Sequence, residues 1–217
     1  PRSARMSPVR TSLALAASAA LLAGCAGGDE QAAAPEETST ASSAEIEGGV
    51  SYEPGLASCQ FNNELQDFHG DGSGVSPYGE LDRAELREEA DAYVVTLTGD
   101  FFDPEVLLDE DAYGDVQVML HGEDFMEPAP NLVTAYGYGD FGFSGTTLEG
   151  ERYEQDTGAV IEDGVFTATY PKDSPHFDGF EPVQWTVAVG FNDGNDATNP
   201  VSFRCGDGRA WTWEPAA

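Results

Sequence analysis

Hydrophobic and polar residues alternate in four short stretches of this chain, which is the pattern of a β-strand with one buried face. The stretches are rich in β-branched and aromatic residues, and Gly, Asp or Pro follows several of them, as at the ends of strands. No long stretch shows the period of an amphipathic helix. The four predicted strands are 93–99, 116–120, 164–170 and 184–190.

Two segments near the end of the sequence, Val201–Cys205 and 210–213, continue this pattern on either side of Gly206-Asp207-Gly208. Because Gly-Asp-Gly is a strong turn signal, we predict that the two segments pair with each other as a closing hairpin. Short strands separated by Gly- and Asp-containing turns indicate an all-β fold. The predicted architecture is an antiparallel β-sandwich of the jelly-roll or immunoglobulin-like type.

Segment 81–92 gives conflicting signals, because its middle part has high helix propensity. An isolated helix of this length is marginal without an apolar stripe. Ala84 and Leu86 instead alternate with charged residues, and a further strand starts at Tyr93. We therefore predict a strand here, joined to the next strand by a turn over 89–92.

Residues 1–24 have the layout of a secretory signal: a start that contains three Arg, an apolar run over 11–22, and small residues at Ala23-Gly24. The run is too short to span a bilayer. With the next residue it reads Leu21-Leu22-Ala23-Gly24-Cys25, which resembles a bacterial lipobox. The resemblance implies cleavage before Cys25, after its thiol has received a diacylglyceryl group. The competing interpretation is a buried helix that happens to end in Cys.

A lipidated Cys25 would hold the protein on the extracytoplasmic face of the cell membrane. Residues 26–49 contain no aromatic residue and only a single late Ile46, so we expect them to be disordered. From Val50 onward Tyr, Phe, Trp and Val occur regularly. The predicted organisation is a lipoprotein signal peptide over 1–24, a lipidated Cys with a disordered acidic linker over 25–49, and a single β-sandwich domain over 50–217.

The chain is strongly acidic. Three of its nine basic residues and none of its 40 acidic residues lie in 1–24, so 25–217 carry a net charge of about −34. This charge repels phosphate backbones and anionic headgroups, which argues against a nucleic-acid partner and against peripheral electrostatic contact with a membrane. It is compatible with a surface adapted to high salt, with a cation-binding surface, or with solubility outside the cell.

Of the three Cys residues, Cys59 and Cys205 remain as a pair if Cys25 is acylated. In an oxidising compartment such a pair predicts a disulfide. A metal site is the alternative, but neither residue lies in a CxxC motif or close to a His.

An unusual stretch at 135–145 alternates aromatic residues with Gly on either side of Gly139-Asp140. The rings of Tyr136, Tyr138, Phe141 and Phe143 would then line one face of a hairpin. They could belong to the core, with the Gly face accommodating a neighbouring element. Alternatively they form an exposed aromatic platform for a ligand.

Other chemical signals are few. His69, His121 and His176 are scattered, and the sequence has no HExxH motif, P-loop or nucleophile elbow. The acidic runs 109–111 and 193–196 offer oxygen ligands for calcium, but they lack the spacing of an EF-hand and are equally compatible with surface loops. No other metal or cofactor is predicted.

The order of the segments Leu81-Asp82-Arg83-Ala84, 90–95, 163–171 and the strand around Trp185 looks like the jelly-roll sandwiches of DOMON and family-9 carbohydrate-binding-module type. Those families are extracellular sugar-, haem- or ligand-binding domains. The resemblance implies the sandwich fold and no particular site. Met119 and His121 do not match the Met/His ligand pair of a haem site.

The predicted function is that of a membrane-tethered extracytoplasmic lipoprotein, in which a non-catalytic domain binds a small-molecule or protein ligand. The alternative is a secreted hydrolase that uses carboxylate catalysis. Carboxylate pairs arise by chance among 40 acids, and no nucleophile, metal or phosphate motif is present, which favours the binding domain. Tyr136 and Tyr138 are the preferred contacts for a neutral or cationic ligand.

Overall fold

Alternation of buried and exposed residues persists through most strands of the structure, as in the strand Tyr113–His121, where Val116, Val118 and Leu120 are buried and the residues between them are not. The computed structural model describes residues 44–46, 50–63, 78–192, 201–205 and 210–217. For 44–46, 50–52 and 201–204 it describes the backbone alone. These residues all belong to one compact unit, Thr40–Ala217.

The described strands form two antiparallel sheets that pack face to face, which confirms the predicted all-β antiparallel sandwich. A short helix, α1 (Pro104–Leu107), and a 3₁₀ turn, Pro175–Phe177, lie between strands. In chain order the strands are β1 (Ala44–Ile46), β2 (Val50–Glu53), β3 (Leu56–Asn62), β4 (Arg83–Glu88), β5 (Ala92–Thr98), β6 (Tyr113–His121), β7 (Asn131–Gly137), β8 (Asp140–Leu148), β9 (Glu151–Glu154), β10 (Val160–Glu162), β11 (Val165–Pro171), β12 (Gln184–Asn192), β13 (Val201–Cys205) and β14 (Trp211–Thr212).

The strand order defines the two sheets. Sheet A has the order β10-β11-β5-β4-β3, and β2 lies beside β3 and β1 beside β2. Sheet B has the order β13-β12-β6-β7-β8-β9, and β14 lies beside β12. A short pairing of β3 with β13 joins the sheets at one corner. The core between them contains large side chains from both sheets and from the loop before α1: Trp185, Tyr170, Phe101, Phe102, Phe166 and Phe191 are its largest fully buried members.

The ambiguous segment 81–92 forms strand β4 and the turn into β5, as predicted. The turn is closed by a 2.8 Å hydrogen bond from the backbone N–H of Glu89 to the carbonyl oxygen of Ala92. Ala84 and Leu86 are fully buried, whereas Arg83 and Arg87 are exposed. Burial of this alternating face in a sandwich outweighs the helix propensity of the Glu-rich sequence.

Cys59 and Cys205 form a disulfide at the corner where the sheets join. Their Cα atoms are 5.8 Å apart, and both residues are buried. Cys205 pairs with Phe61 across the β13–β3 contact, two residues from Cys59 on β3. The disulfide therefore links the last long strand of sheet B to an early strand of sheet A, across 146 positions of sequence.

Two expectations from the sequence are wrong. β13 and β14 do not pair with each other; both pair with β12, at Ala188–Phe191 and at Gln184–Trp185 respectively. Strand β12 is long enough to offer backbone hydrogen-bonding groups to both segments. The two-residue β14 by itself could not satisfy the hydrogen-bonding groups of β13. The intervening turn 206–208 lies outside the described residues. Ordered structure also starts earlier than predicted, because β1 lies within the predicted linker and pairs Ile46 with Val50.

Candidate functional site

The aromatic stretch forms the β7–β8 hairpin, whose two-residue turn consists of Tyr138 and Gly139. Both have positive φ, 55° and 85°, as the favoured tight hairpin turns require. The turn thus lies one residue earlier than the predicted Gly139-Asp140 step. As a result Tyr138 stands in the turn itself and not on a strand face.

Tyr136 belongs to the core. It is 3% exposed, and its hydroxyl donates a 2.6 Å hydrogen bond to the carbonyl oxygen of Gly190. Its ring occupies the space beside Gly114, where an added Cβ would come within 2.8 Å of the Tyr136 Cζ atom. Burial, together with the nearby charge of Asp115, raises the pKa of the Tyr136 hydroxyl, which therefore stays a neutral donor.

Tyr138 is 80% exposed, whereas Phe141, the strand partner of Tyr136, and Phe143 are half-buried. The pairing of β7 with β8 shifts register between Ala135 and Tyr136, so that Gly142 has no partner. This bulge places Phe141 against the rim of the core, while Phe143 pairs with Ala135 on the solvent side. The expectation that four rings line one face is therefore wrong. Each of the two alternatives, core or exposed, holds for one of the Tyr rings: Tyr136 lies in the core, and Tyr138 is exposed to solvent.

The solvent-facing side of sheet B, here called the outer face, has a floor of small residues. Strand pairing places four residues in one row across it, in the order Phe143, Ala135, Asp115, Gly190. Ala188 and Gln117 lie opposite each other in the next row. Ala135, Ala188 and Gly190 have short side chains or none, and the region that they form around Asp115 is here called the depression.

Asp115 is the half-buried carboxylate in that depression. The Gln117 amide donates to its Oδ2, and the Asn131 amide donates in turn to Gln117 Oε1 at 2.9 Å. Burial raises the pKa of the Asp115 carboxyl, and the hydrogen bond from Gln117 opposes this effect. A raised pKa means that the folded state binds the proton more tightly than the unfolded chain. Ionised Asp115 therefore lowers stability increasingly as pH rises through its titration range.

Tyr113 stands two residues before Asp115 on the same side of β6 and is 41% exposed. It pairs with Gly137, and the backbone N–H of Tyr138 donates a 3.0 Å bond to the carbonyl oxygen of Ala112. The two exposed Tyr residues, Tyr113 and Tyr138, thus start from neighbouring backbone positions at one edge of the outer face.

A groove of 490 Å³ opens beside Phe143, between β8 and the segment that follows β9. The Thr134 hydroxyl lies at its inner end, 3.0 Å from Ser144 Oγ and 2.6 Å from the Tyr170 hydroxyl. Ser144 also bonds to Thr157, and no histidine is among its hydrogen-bond partners in the described residues. This hydroxyl chain is suited to structural or binding roles. The walls of the groove include Phe141, Phe143, Ser144, Glu154, Asp156 and Thr157.

The two described histidines lie close to threonine hydroxyls, and neither bonds to Asp115. His121 is buried, with Nε2 3.3 Å from Thr186 Oγ1 and its ring against Phe125. His176 Nδ1 lies 3.1 Å from Thr146 Oγ1. His69 and the acidic run 193–196 lie outside the described residues.

The other candidate calcium segment, 109–111, forms a turn in which Asp109 Oδ1 accepts a hydrogen bond from the backbone N–H of Asp111. In the parts of the chain that the structure describes, no three His, Cys, Asp or Glu side chains group in a way that could hold a metal ion. Nor does any described helix have both the length and the apolar character needed to cross a bilayer.

Sequence analysis did not single out Tyr113 and Asp115, although a signal was present. The alternation around Val116 extends backward, and it places Tyr113, Asp115 and Gln117 together on the polar side of one strand. What the outer face offers chemically is aromatic rings, a carboxylate and a floor of small residues, which suits recognition of a ligand. No family model, curated protein or solved structure matches this chain, so its function must be inferred from its own residues.

Proposed function

We propose that this protein is a membrane-tethered extracytoplasmic lipoprotein whose β-sandwich is a non-catalytic binding domain. The lipobox resemblance at Cys25 supports the anchor, and the Ala-, Gly- and Glu-containing segment after it would serve as a tether. The net charge of −31 makes an electrostatic attachment to anionic lipid unfavourable, so a covalent lipid supplies the attachment.

Tyr138 is the observation that carries the binding function. A left-handed backbone is unfavourable for an aromatic residue and is normally taken by Gly, Asn or Asp. Tyr138 has φ 55°, and its ring gains almost no burial in return, since it is 80% exposed. Packing within this chain does not account for the ring, whereas contact with a ligand or partner protein does.

The competing function is the hydrolase. Glu154 and Asp156 both line the groove beside Phe143, which is the observation in its favour. A hydrolase would convert its ligand, whereas a binding domain releases it unchanged. Product analysis of any bound ligand therefore separates the two functions.

The anchor predicts detergent partitioning. In cells that process lipoproteins, the full-length chain is expected in the detergent phase after phase separation, and Cys25→Ser is expected in the aqueous phase, because the hydroxyl cannot receive the thioether-linked lipid. Immunoblots of both phases give the measurement. A wild-type protein found wholly in the aqueous phase would refute the anchor.

The binding function predicts stabilisation by a ligand that needs the Tyr138 ring. The full chain is screened by thermal shift against a panel of neutral and cationic small molecules and candidate protein ligands. Tyr138→Asn removes the ring and keeps a residue that tolerates positive φ. It is expected to weaken a hit at least about tenfold, as loss of a binding hot spot does, at unchanged melting temperature.

Met126→Asn is the matched control, because Met126 is the most exposed large apolar side chain in the described residues and lies beyond the other end of β6. It should leave binding unchanged. A panel without hits, or hits that bind Tyr138→Asn as tightly as wild type, would overturn the proposed role of the outer face.

A further inference from the structure

Asp115 is a half-buried carboxylate that forms no ion pair with any of the described side chains. The ion pairs among the described side chains are Arg83–Glu85 and Lys172–Glu88, and both involve sheet A. A desolvated carboxylate without a cation is unfavourable unless something compensates it. Among the described residues, the compensation is a single neutral amide, that of Gln117.

The two oxygens of Asp115 differ in their surroundings. Oδ2 accepts the hydrogen bond from Gln117, and Asn131 holds Gln117 in turn, so the carboxylate is oriented by a chain of amides. Oδ1 has no hydrogen-bond donor among the described residues and leans over Gly190, 2.9 Å from the position that a Cβ there would take. Any side chain at 190 would fill this space, and Gly leaves it open.

Two exposed Tyr residues start from the same end of the outer face as Asp115. Tyr113 is on the same side of β6, roughly 7 Å along the strand from Asp115 at about 3.4 Å per residue. Gly137, opposite Tyr113, leads directly into Tyr138 in the turn. A free carboxylate oxygen beside exposed aromatic rings, above a floor of small residues, is a combination that attracts an organic cation.

We propose that this depression on the outer face binds an alkylammonium group, with Asp115 Oδ1 accepting its N–H bond and Tyr113 and Tyr138 contacting its alkyl part and charge. The proposal rests on the proposed binding function and names its ligand class. A guanidinium fits less well, because bidentate pairing needs both carboxylate oxygens and Gln117 already holds Oδ2. A quaternary ammonium has no N–H to donate to Oδ1.

The test is a calorimetric titration of the full chain, purified in detergent, with n-butylammonium chloride at constant ionic strength. Matched titrations use n-butanol, tetramethylammonium chloride and sodium chloride. The expected result is one saturable site for butylammonium, with weaker binding of tetramethylammonium and none of butanol or sodium. Asp115→Asn should weaken butylammonium binding at least about tenfold, since it removes the charge from the hydrogen bond.

Two variants keep the test decisive in so acidic a protein. Glu162→Gln makes the same charge change at an exposed position on β10 of sheet A, and it should bind like wild type. Asp115→Asn should fold, because Asn still accepts from Gln117 and the desolvated charge is gone. Its melting temperature at neutral pH is expected to equal or exceed that of wild type.

Each outcome has one meaning. Equal weakening in Asp115→Asn and Glu162→Gln would reduce the effect to general charge attraction and overturn the proposal, as would butanol binding as tightly as butylammonium. A ligand from the panel that depends on Tyr138 but binds Asp115→Asn normally would overturn the ammonium site and leave the binding function standing.

Discussion

Replacing Cys59 and Cys205 together by Ala is expected to lower the free energy of unfolding by up to about 5 kcal/mol. The disulfide closes a loop across 146 positions, and the loop-entropy relation assigns about this value to a closure of that length. Domains of this size are typically stable by about 5–15 kcal/mol, so a loss of this size equals the whole stability of a domain at the lower end of that range. Denaturant unfolding followed by Trp fluorescence gives the measurement.

The location of the disulfide is a second, structural reason to expect this loss of stability. At the β3–β13 corner the two sheets share only two residue pairs, Arg204 with Asn62 and Cys205 with Phe61. Reducing the disulfide of the wild-type protein should lower its free energy of unfolding by the same amount. The same treatment should leave the Ala variant unaffected. An unfolding free energy within about 1 kcal/mol of wild type would show that strand pairing and core packing hold this corner without the bond.

The second large effect is expected for Tyr136→Ala, which should cost about 3–5 kcal/mol, the usual range for truncating a buried aromatic side chain. The variant leaves a cavity beside Gly114 and removes the hydrogen bond to the Gly190 carbonyl. Tyr136→Phe keeps the packing and loses only that bond, for which about 1–2 kcal/mol is expected. Equilibrium unfolding in denaturant measures both.

Tyr138→Ala is the internal control, because it removes the same kind of ring from the turn of the same hairpin, two residues after Tyr136. Its stability should stay within about 0.5 kcal/mol of wild type, as for most surface substitutions. Similar losses for the two variants would contradict the assignment of one ring to the core and the other to solvent.

Stability and the proposed binding function thus depend on different parts of sheet B. Its inner side carries the apolar core and Tyr136, whereas its outer side carries Asp115, which lowers stability when ionised at neutral pH. A fold selected for stability alone would place a neutral residue at 115. The proposed alkylammonium ligand would offset this effect by neutralising the carboxylate.

The amino-acid sequence by itself determined the fold class and the disulfide pair. Period-2 alternation reports directly which side of a strand is buried, and it predicted the strands around Val95, Val118, Ala168 and Val187, as well as the hairpin at 81–92. The pairing of Cys59 with Cys205 followed from counting, because the predicted acylation of Cys25 would leave only these two residues. Signals of this kind are local or compositional, and no contact between distant residues is needed to read them.

Only the tertiary structure decided which strands became neighbours and which aromatic rings were buried. β13 and β14 flank the same turn signal yet join β12 separately, because the free edge of a long strand competes with a local hairpin. The turn lies one residue earlier than predicted, and a bulge forms at Gly142. As a result Tyr136 lies in the core, Tyr138 in the turn and Phe143 on the outer face. Asp115 lies opposite Gly190, which is 75 positions later in the sequence. Such relations depend on register between strands distant in sequence, and a one-residue change of register exchanges the buried side of a strand for the exposed one.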